Sequence, residues 1–258
     1  MKIAGFFKRF YIALMLLFLY APVVVLMVLS FNAGESRAKW EGFSFHWYVD
    51  LLSNKAIRDA LWVTVSVAVV ATIVSTVVGT LAAIGIHSMR KRPQAFMMTL
   101  TNLPNTMPDI VMGVSLMLLY IFMNVARGYW TMVLAHITFD LPYVILSVLP
   151  KLKQMDQNTY EAALDLGATP GYALTHVIIP ECRQGIATGA LLAFTLSLDD
   201  FTVSYFTTSP MIQNLSTLIN SATRIKVSPE YSALSTLMFL IMLGLLLIVN
   251  RRTKEPED

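Results

Sequence analysis

Long apolar runs alternate with short polar segments along the whole chain. A membrane-crossing helix needs about 20 mostly apolar residues to cover about 30 Å of hydrocarbon. Six runs approach or exceed that length, and they cover approximately residues 10–31, 60–86, 96–124, 129–150, 184–208 and 232–250. The pattern therefore predicts an all-α, polytopic membrane protein with six transmembrane helices in a single domain, residues 1–258.

Basic residues predict the orientation of these spans, because cytoplasmic loops carry an excess of Lys and Arg. With the N-terminus inside, most of the 19 Lys and Arg residues fall inside, Lys254 among them, and the outer ones include Arg37 and Lys226. All four tryptophans, at positions 40, 47, 62 and 130, then fall near the outer face, where amphipathic rings favour the interface. We expect both termini to be cytoplasmic.

Three segments refine this topology. The first span follows a basic N-terminus, but its apolar run is too long for a signal peptide, so we expect a retained anchor. Residues 32–59 are external and aromatic from Trp40 to Tyr48, which fits either an interfacial anchor or a docking surface for an external partner. Residues 151–183 form a cytoplasmic loop.

Composition supports the membrane class and excludes several others. Hydrophobic residues make up 56% of the chain and charged residues only 14%, well below the roughly 25% that is usual in soluble domains. The single cysteine, Cys182, excludes an internal disulfide, and the four scattered histidines lack metal-binding spacing. A Gly-rich phosphate loop is missing as well, so we expect a chain that is not an enzyme and holds no cofactor or metal.

The cytoplasmic loop predicts two short helices separated by a break. Gly167 suits the position after the first helix, where φ is positive. Thr169 can cap the second helix, whose first turn contains Pro170 and whose end is marked by Pro180. On the first helix a small apolar face opposes an acidic edge. The loop is therefore either a connector packed on its own helix ends or a docking element for a cytosolic partner.

The loop also contains a recognisable motif. Its segment Glu161-Ala162-Ala163, followed by Gly167, Ile178 and Pro180, resembles the EAA loop of type I ABC importer permeases. The resemblance implies the fold of those permeases, and it implies that the loop docks on a partner ATPase, which binds ATP and Mg. The residues that it assigns to ATPase coupling are Glu161, Ala162, Ala163, Asp165 and Gly167.

Further segments resemble a subgroup of this family, the second or C-type membrane subunits of spermidine/putrescine importers. They include Pro108-Asp109, His136 to Phe139, Phe194 to Asp200 and Ser228 to Glu230. The resemblance implies a heterodimer with a homologous permease, two ATP-binding subunits inside and a polyamine-binding protein outside. The location that it implies is the prokaryotic cell membrane, which is the inner membrane in Gram-negative bacteria.

Four carboxylates fall near the middle of predicted spans, at Asp109, Asp140, Asp199 and Asp200. Each costs about 2.5–3.5 kcal/mol at a bilayer centre unless it meets water, a partner or a cation. Pro104 and Pro108 should bend or break span three beside Asp109, and broken helices at mid-depth line cavities. We therefore expect a cation pathway formed by Asp109, Asp140, Tyr143, Thr195 and Asp199. His136 fits a helix–helix hydrogen-bond donor that could pair with Asp140, one turn away.

Wound as one continuous helix, span five separates its two adjacent acids. Small residues form a stripe of the kind that packs helices closely, at Gly185, Gly189, Ala193 and Ser197. Asp200 projects into that stripe, whereas Asp199 points about 100° away toward Thr195. We expect Asp199 to line the pathway, and we expect a packing interface formed by Gly185, Gly189, Ala193 and Asp200.

Other functions remain open at this point. A permease for ferric iron would share the coupling loop, whereas an oxyanion permease is disfavoured because no Lys or Arg accompanies the mid-depth acids. A proton-coupled secondary transporter could use Asp109, Asp140 and His136 as a relay, although it has no need of a docking loop. An intramembrane aspartyl protease is disfavoured because the acids lie outside a Gly-x-Gly-Asp motif.

Overall fold

A computed structural model describes residues 2–35, 39–156, 158–225 and 229–253 of the protein. These residues are almost entirely helical, and the extended pairing found among them is an isolated bridge between Asn32 and Phe43. The prediction of an all-α protein is therefore confirmed. The predictions that involve Arg37, Lys226, Ser228 and Lys254 concern positions outside the described residues.

The helices follow one another with short connections. In chain order they are α1 (Lys2–Leu29), α2 (His46–Ser53), α3 (Lys55–Ser88), α4 (Lys91–Thr106), α5 (Asp109–Phe122), α6 (Tyr129–Gln154), α7 (Asn158–Asp165), α8 (Pro170–Ala173), α9 (Ile179–Glu181), α10 (Arg183–Asp199), α11 (Thr202–Thr207), α12 (Leu215–Ile225) and α13 (Pro229–Thr253). A π turn, Leu174–Ile178, joins α8 to α9.

Two compact units make up the chain. The first contains Met1–Arg58 and Leu218–Leu243, and the second contains Asp59–Thr217 and Gly244–Asp258. The assignment of the whole chain to one permease domain stays a prediction. The second unit contains α4 to α11 and both of the helix interruptions described below.

Four helices are long and apolar enough to cross a membrane by themselves, over Arg9–Leu29, Lys55–Ser88, Tyr129–Gln154 and Pro229–Leu247. The pair α4 and α5 passes the same test when the two helices are taken together. The protein is thus a multi-pass membrane protein. The sixth span and the cytoplasmic position of both termini stay predictions.

The third predicted span is interrupted, as its prolines predict. The helix α4 ends at Thr106, α5 begins at Asp109, and the two are bent by 104°. Because the ring of Pro108 disfavours the α conformation in the residue before it, Met107 is extended, with φ −85° and ψ 142°. Pro104 lies inside α4 and leaves that helix continuous.

The fifth predicted span is interrupted as well, so the prediction of one helix over residues 184–208 is wrong. The helix α10 ends at Asp199, Asp200 is extended with φ −64° and ψ 123°, and α11 begins at Thr202. The 17 residues of α10 span about 25 Å. The predicted position of Asp200 on the glycine stripe is therefore wrong, because the helix ends before that residue.

Close contact between α6 and α10 forms the centre of the second unit. A Cβ at Gly185 would lie 2.7 Å from the carbonyl oxygen of Ser147, and one at Gly189 would lie 3.0 Å from Cα of Val144. Ala193 is fully buried on the same stripe. Lipid tails are as apolar as leucine, so close packing through small residues is what holds such helices together.

A third helix reaches the same point of α6. A Cβ at Gly79 of α3 would lie 2.8 Å from Cβ of Val144, which Gly189 of α10 also approaches. Val144 is fully buried, and an apolar cluster extends from it through Val148 and Leu152. Glycines on two helices thus let both pack closely on α6.

The loop that is predicted to be cytoplasmic, residues 151–183, largely follows its local sequence signals. Gly167, just after α7, has a φ of 87°, and the Thr169 hydroxyl accepts from the backbone N–H of Tyr172 at 3.3 Å to cap α8. Pro180 lies one residue before the end of α9 at Glu181, so the predicted end of the second helix agrees to within one residue. The π turn before it is wider than an α turn and accommodates the proline ring.

In the first unit, aromatic rings gather just after α1. Phe31 stacks on Phe43 with ring centroids 5.3 Å apart. The Asn32 side chain accepts from the backbone N–H of Glu41 at 2.8 Å, and Trp47 Nε1 donates to the Asn32 carbonyl oxygen at 2.7 Å. The described part of the segment before α2 is therefore folded on itself, with Phe43 largely exposed.

A single methyl group at Gly185 tests the contact between α6 and α10. In Gly185→Ala the Cβ would come within 2.7 Å of the Ser147 carbonyl oxygen, so the helices would have to move apart. We expect this overpacking to cost about 1–3 kcal/mol and to lower the unfolding temperature of the purified protein. The matched control is Gly85→Ala, where a Cβ would meet nothing within 4 Å in the described structure. Equal unfolding temperatures for the two variants would contradict this role of Gly185.

Candidate functional site

Each helix interruption carries an exposed carboxylate. Asp109 is the first residue of α5, and Asp199 is the last residue of α10. Within the described ranges, neither carboxylate has a hydrogen bond or an ion pair. Both are therefore available to a positively charged group from outside this chain.

The two helices that follow the interruptions, α5 and α11, pack on each other. A Cβ at Gly113 of α5 would lie 3.3 Å from the carbonyl oxygen of Thr202 and 2.9 Å from Cδ2 of Phe206. Asp109 precedes Gly113 by one helical turn, about 6 Å, and Asp199 precedes Thr202 by three residues. The two exposed acids thus belong to one region of the second unit, which we call the acidic break region.

Tyr143 and Thr195 are also predicted pathway residues, and their surroundings differ. Tyr143 is half-buried and close enough to Asp109 and Asp140 to interact electrostatically with both. Thr195 is buried, and its hydroxyl donates to the Leu191 carbonyl oxygen at 2.7 Å, inside its own helix. The structure brings Tyr143 to the acids, whereas the hydroxyl of Thr195 is already satisfied.

Asp140 lies in the packed interior, unlike Asp109 and Asp199. Its side chain is fully buried, and its Oδ2 accepts from Ser197 Oγ of α10 at 3.1 Å. Its Oδ1 has no hydrogen-bond partner among the residues that the structure describes. The contact that Asp140 makes is therefore with α10, and its role in a substrate pathway stays a prediction.

Asp200 caps α11. Its Oδ1 accepts from the backbone N–H of Val203 at 3.1 Å, and its Oδ2 accepts from that of Ser204 at 2.7 Å. The first N–H groups of a helix lack partners within the helix and carry partial positive charge, so a carboxylate there is stabilising. The Asp200 side chain is only 10% exposed. The two neighbouring acids are thus placed differently, with Asp199 exposed and Asp200 engaged with the backbone.

A buried histidine links the two sides of the interruption at Asp200. His136 Nδ1 lies 2.8 Å from Ser197 Oγ in α10, and His136 Nε2 lies 2.9 Å from Ser204 Oγ in α11. Asn214 Nδ2 donates to the Ser204 hydroxyl at 2.8 Å and to the Asp200 carbonyl oxygen at 3.1 Å. The sequence suggested a direct pair with Asp140, but Ser197 stands between them. We call His136, Asp140, Ser197, Asp200, Ser204 and Asn214 the His136 cluster.

Sequence reasoning missed Ser204 and Asn214. An acid just before a short apolar segment is a helix-start signal that could have revealed the cap at Asp200. Asn214 gives the same signal for α12, since its Oδ1 accepts from the Thr217 N–H at 2.9 Å. The contacts of both residues with His136 or with one another depend on tertiary packing, which no local pattern encodes.

The predicted coupling residues lie on an exposed part of the predicted cytoplasmic loop, residues 151–183. Glu161, Ala162, Asp165 and Gly167 are exposed, and Ala163 is half-buried. Leu166, which sequence reasoning did not single out, is 90% exposed beside Gly167. An apolar side chain next to an exposed acidic helix suits a groove in a docking partner. The available signal was an apolar residue directly before the glycine that ends the helix.

Nothing among the described residues groups His, Cys, Asp or Glu side chains so as to hold a metal ion. Cys182 lies between α9 and α10 and is buried in the apolar cluster around Val144. This burial, with a smaller contribution from the charge of Glu181, raises the pKa of the Cys182 thiol. The thiol is therefore protonated and unreactive at neutral pH.

Removing the Asp200 carboxylate tests the helix cap. Asp200→Ala leaves the N–H groups of Val203 and Ser204 without their acceptors, and the loss of a cap costs about 0.5–2 kcal/mol. We therefore expect a lower unfolding temperature of the purified protein. The control is Asp199→Ala, which removes an exposed carboxylate one residue earlier and should leave that temperature unchanged. A similar loss in both variants would contradict the cap.

Residues 75–253 match the family described as binding-protein-dependent transport system inner membrane component. The chain is 35% identical to the spermidine/putrescine transport system permease protein PotC of Escherichia coli strain K12, over 92% of this chain and 91% of that protein. It is 34% identical to PotC of Haemophilus influenzae, over 97% of each chain. It is 37% identical to the putrescine transport system permease protein PotI of Escherichia coli strain K12, over 86% of this chain and 81% of PotI.

Solved structures are similar to the fold of the chain. A bacterial alginate ABC transporter in complex with an alginate pentasaccharide-bound periplasmic protein matches with a TM-score of 0.70 at 16% identity, covering 98% of this chain and 94% of that one. An amino acid ABC transporter with histidines matches with a TM-score of 0.59 at 17% identity, covering 81% of this chain and 97% of that one. Taken with the family match and the PotC relatives, these findings show that the chain belongs to the family of binding-protein-dependent transport system inner membrane components.

Proposed function

We propose that this chain is a permease subunit of an ATP-driven polyamine importer. The observation that carries the proposal is the acidic break region, where Asp109 and Asp199 are exposed at two neighbouring helix interruptions. The similarity to PotC and PotI over most of the chain supports the same substrate class. Carboxylates at helix interruptions within membrane spans mark substrate sites, because irregular backbone at that depth is tolerated where it lines a cavity.

The acidic break region suits a polyamine in charge and shape. Polyamines are flexible chains whose amines are protonated at neutral pH, and carboxylates bind ammonium groups by charge-assisted hydrogen bonds. Tyr143, near Asp109, offers an aromatic face for a cation–π contact. The helices α5 and α11, which form the region, contain no Lys or Arg. The guanidinium of Arg127 contacts α11 from outside, at the Phe206 carbonyl oxygen (3.3 Å), near the end of that helix opposite to Asp199.

In this proposal the chain supplies half of a translocation pathway. A homologous permease supplies the other half, and an external binding protein delivers the polyamine. The complex contains two ATP-binding subunits, one of which docks on residues 151–183 from the cytoplasm. These subunits hold the ATP and Mg that this chain does not bind. The six spans are α1, α3, the pair α4 and α5, α6, the pair α10 and α11, and α13, with both termini cytoplasmic.

Uptake by the assembled transporter tests the substrate. The chain is reconstituted in proteoliposomes with its cognate permease, ATPases and binding protein, and spermidine, putrescine, Fe³⁺ and sulfate are offered separately. We expect ATP-dependent uptake of a polyamine that exceeds Fe³⁺ and sulfate uptake by about tenfold or more, because the site discriminates by charge and hydrogen bonding. Preferred Fe³⁺ uptake would favour the ferric iron alternative. Uptake that follows a proton gradient without the ATPases would favour the secondary transporter.

The same assay tests Asp199. Asp199→Asn keeps the size of the side chain and removes its charge, and a hydrogen bond to a charged group contributes about 1.5–3 kcal/mol. We expect polyamine uptake to fall by about tenfold or more while the complex still assembles. The control is Asp59→Asn, an exposed acid of the same unit at the start of α3. Unchanged uptake in Asp199→Asn would remove this residue from the pathway.

Leu166 tests the docking of the cytoplasmic loop. Because its side chain is 90% exposed in this chain, Leu166→Ser should leave the fold intact. Burial of a leucine contributes about 1.5–3 kcal/mol, so we expect recovery of the ATPase with the permease and polyamine-stimulated ATP hydrolysis to fall by about tenfold or more. The control is Leu52→Ser, where the leucine side chain is 75% exposed on α2, outside the loop. Normal ATPase recovery with Leu166→Ser would place Leu166 outside the interface.

A further inference from the structure

The interruption between α10 and α11 is closed by side chains. The Asp200 carboxylate accepts from the N–H groups of Val203 and Ser204, and Asn214 donates to the Asp200 carbonyl oxygen. Backbone groups freed by a break in a membrane span have to find partners within the protein, because lipid offers none. The break is therefore a defined structure, and its geometry follows from the residues that hold it.

His136 is the member of the cluster that contacts both sides of this break. It belongs to α6, and its two ring nitrogens lie 2.8 Å from the Ser197 hydroxyl and 2.9 Å from the Ser204 hydroxyl. Ser197 is in α10 before the break, and Ser204 is in α11 after it. Since the imidazole ring is rigid, the two bonds together set the separation of the two helices at this point.

Neighbouring residues orient both hydroxyls toward the ring. Ser197 donates its proton to Asp140 Oδ2, and it therefore accepts from His136 Nδ1. After the break, the Ser204 hydroxyl accepts a hydrogen bond from Asn214 Nδ2. The ring itself is fully buried, and Phe139 packs against it with centroids 5.0 Å apart. The position of His136 is therefore fixed by its own helix and by both halves of the interrupted one.

We propose that His136 is a positioning residue, which holds α11 at a set orientation to α10 so that Asp199 is presented at the break. Among the residues between Ser197 and Ser204, Asp199 is the exposed one. Its side chain has no hydrogen bond within the described residues. Its location depends on where α10 ends and where α11 turns away. Loss of the bond to Ser204 would free the N-terminal end of α11 from α6, while Thr131 Oγ1 of α6 still donates to the Thr207 carbonyl oxygen at the other end of α11, at 2.8 Å. The helix α10 would stay packed on α6 through its glycines.

The same arrangement links the break to the cytoplasmic loop, and this step rests on the proposed function. The loop connects the C-terminal end of α6 to the N-terminal end of α10, so both helices leave it directly. Gly185 and Gly189 hold the two helices together near the loop, and His136 holds them together near the break. A displacement of the loop by an ATPase would move the pair as one body and carry the break with it.

Hydrogen–deuterium exchange of the assembled transporter in nanodiscs tests the positioning role without reference to any substrate. The peptide that contains α11 is compared among wild type, His136→Ala, Ser204→Ala and the control Thr138→Ala, whose hydroxyl is exposed on the same helix as His136. We expect exchange in α11 to be at least about tenfold faster in His136→Ala and Ser204→Ala than in wild type and the control, with exchange in α6 unchanged.

Two conservative variants separate the two bonds of the ring. Because Nδ1 donates to Ser197, Nε2 of the neutral ring accepts from Ser204. The amide nitrogen of Asn can take the place of Nδ1 and donate only to Ser197, whereas the amide oxygen of Gln can take the place of Nε2 and accept from Ser204. We expect His136→Gln to restore the protection of α11 and part of the uptake, and His136→Asn to restore neither. A role in packing alone would make the two variants equivalent.

The outcomes distinguish this inference from the proposed function. Wild-type exchange of α11 in His136→Ala would overturn the positioning role, whatever the uptake assay shows. If His136→Ala fails to assemble, Ser204→Ala and His136→Gln decide the matter by the same exchange measurement. Faster exchange together with an absence of polyamine uptake in wild type would support the positioning role and overturn the polyamine proposal.

Discussion

At Gly185 the backbone of α10 approaches the Ser147 carbonyl oxygen so closely that no side chain fits between them. Hydrophobic burial does not drive two helices together in a membrane, so the contact has to come from close packing and hydrogen bonds. Ser197 lies twelve residues, about 18 Å, further along α10. It reaches His136 and Asp140 because the two helices already run side by side from Gly185. Close packing near the loop thus makes the buried polar chemistry near the break possible.

The three acids at the two interruptions are of two kinds: one is bonded to the backbone, and two are exposed. Asp200 compensates for its burial by accepting from two N–H groups at the start of α11, so its carboxyl group is part of the fold. Asp109 and Asp199 make no such bonds within the described residues. A charge that the fold does not use is costly in lipid and is retained where it meets something else. The difference between neighbours in sequence therefore separates residues that build the protein from residues that are free to act.

Local sequence signals account for much of this fold. Apolar runs located α1, α3, α6 and α13, and Pro108 located the first interruption. Gly167 and Thr169 located the turn in the loop between α6 and α10. The second interruption has neither proline nor glycine at Asp200 and Phe201. It depends on Asn214 and His136, which are distant in sequence, so a helical pattern runs through it unchanged. The π turn before Pro180 was not predicted either, since it has no signature in the residue types.

The π turn at Leu174–Ile178 has a consequence for how the family can vary in length. Such a turn contains one residue more than the α turn that it replaces. Loss of one residue there would convert it to an α turn and leave the following helices in the same rotational phase. Loss of a residue from the first turn of α10 would instead rotate Gly185 by about 100° relative to the rest of the loop and away from α6. Loss of one residue at this turn is therefore compatible with the contact between Gly185 and α6. Loss of one residue from the first turn of α10 is not compatible with that contact.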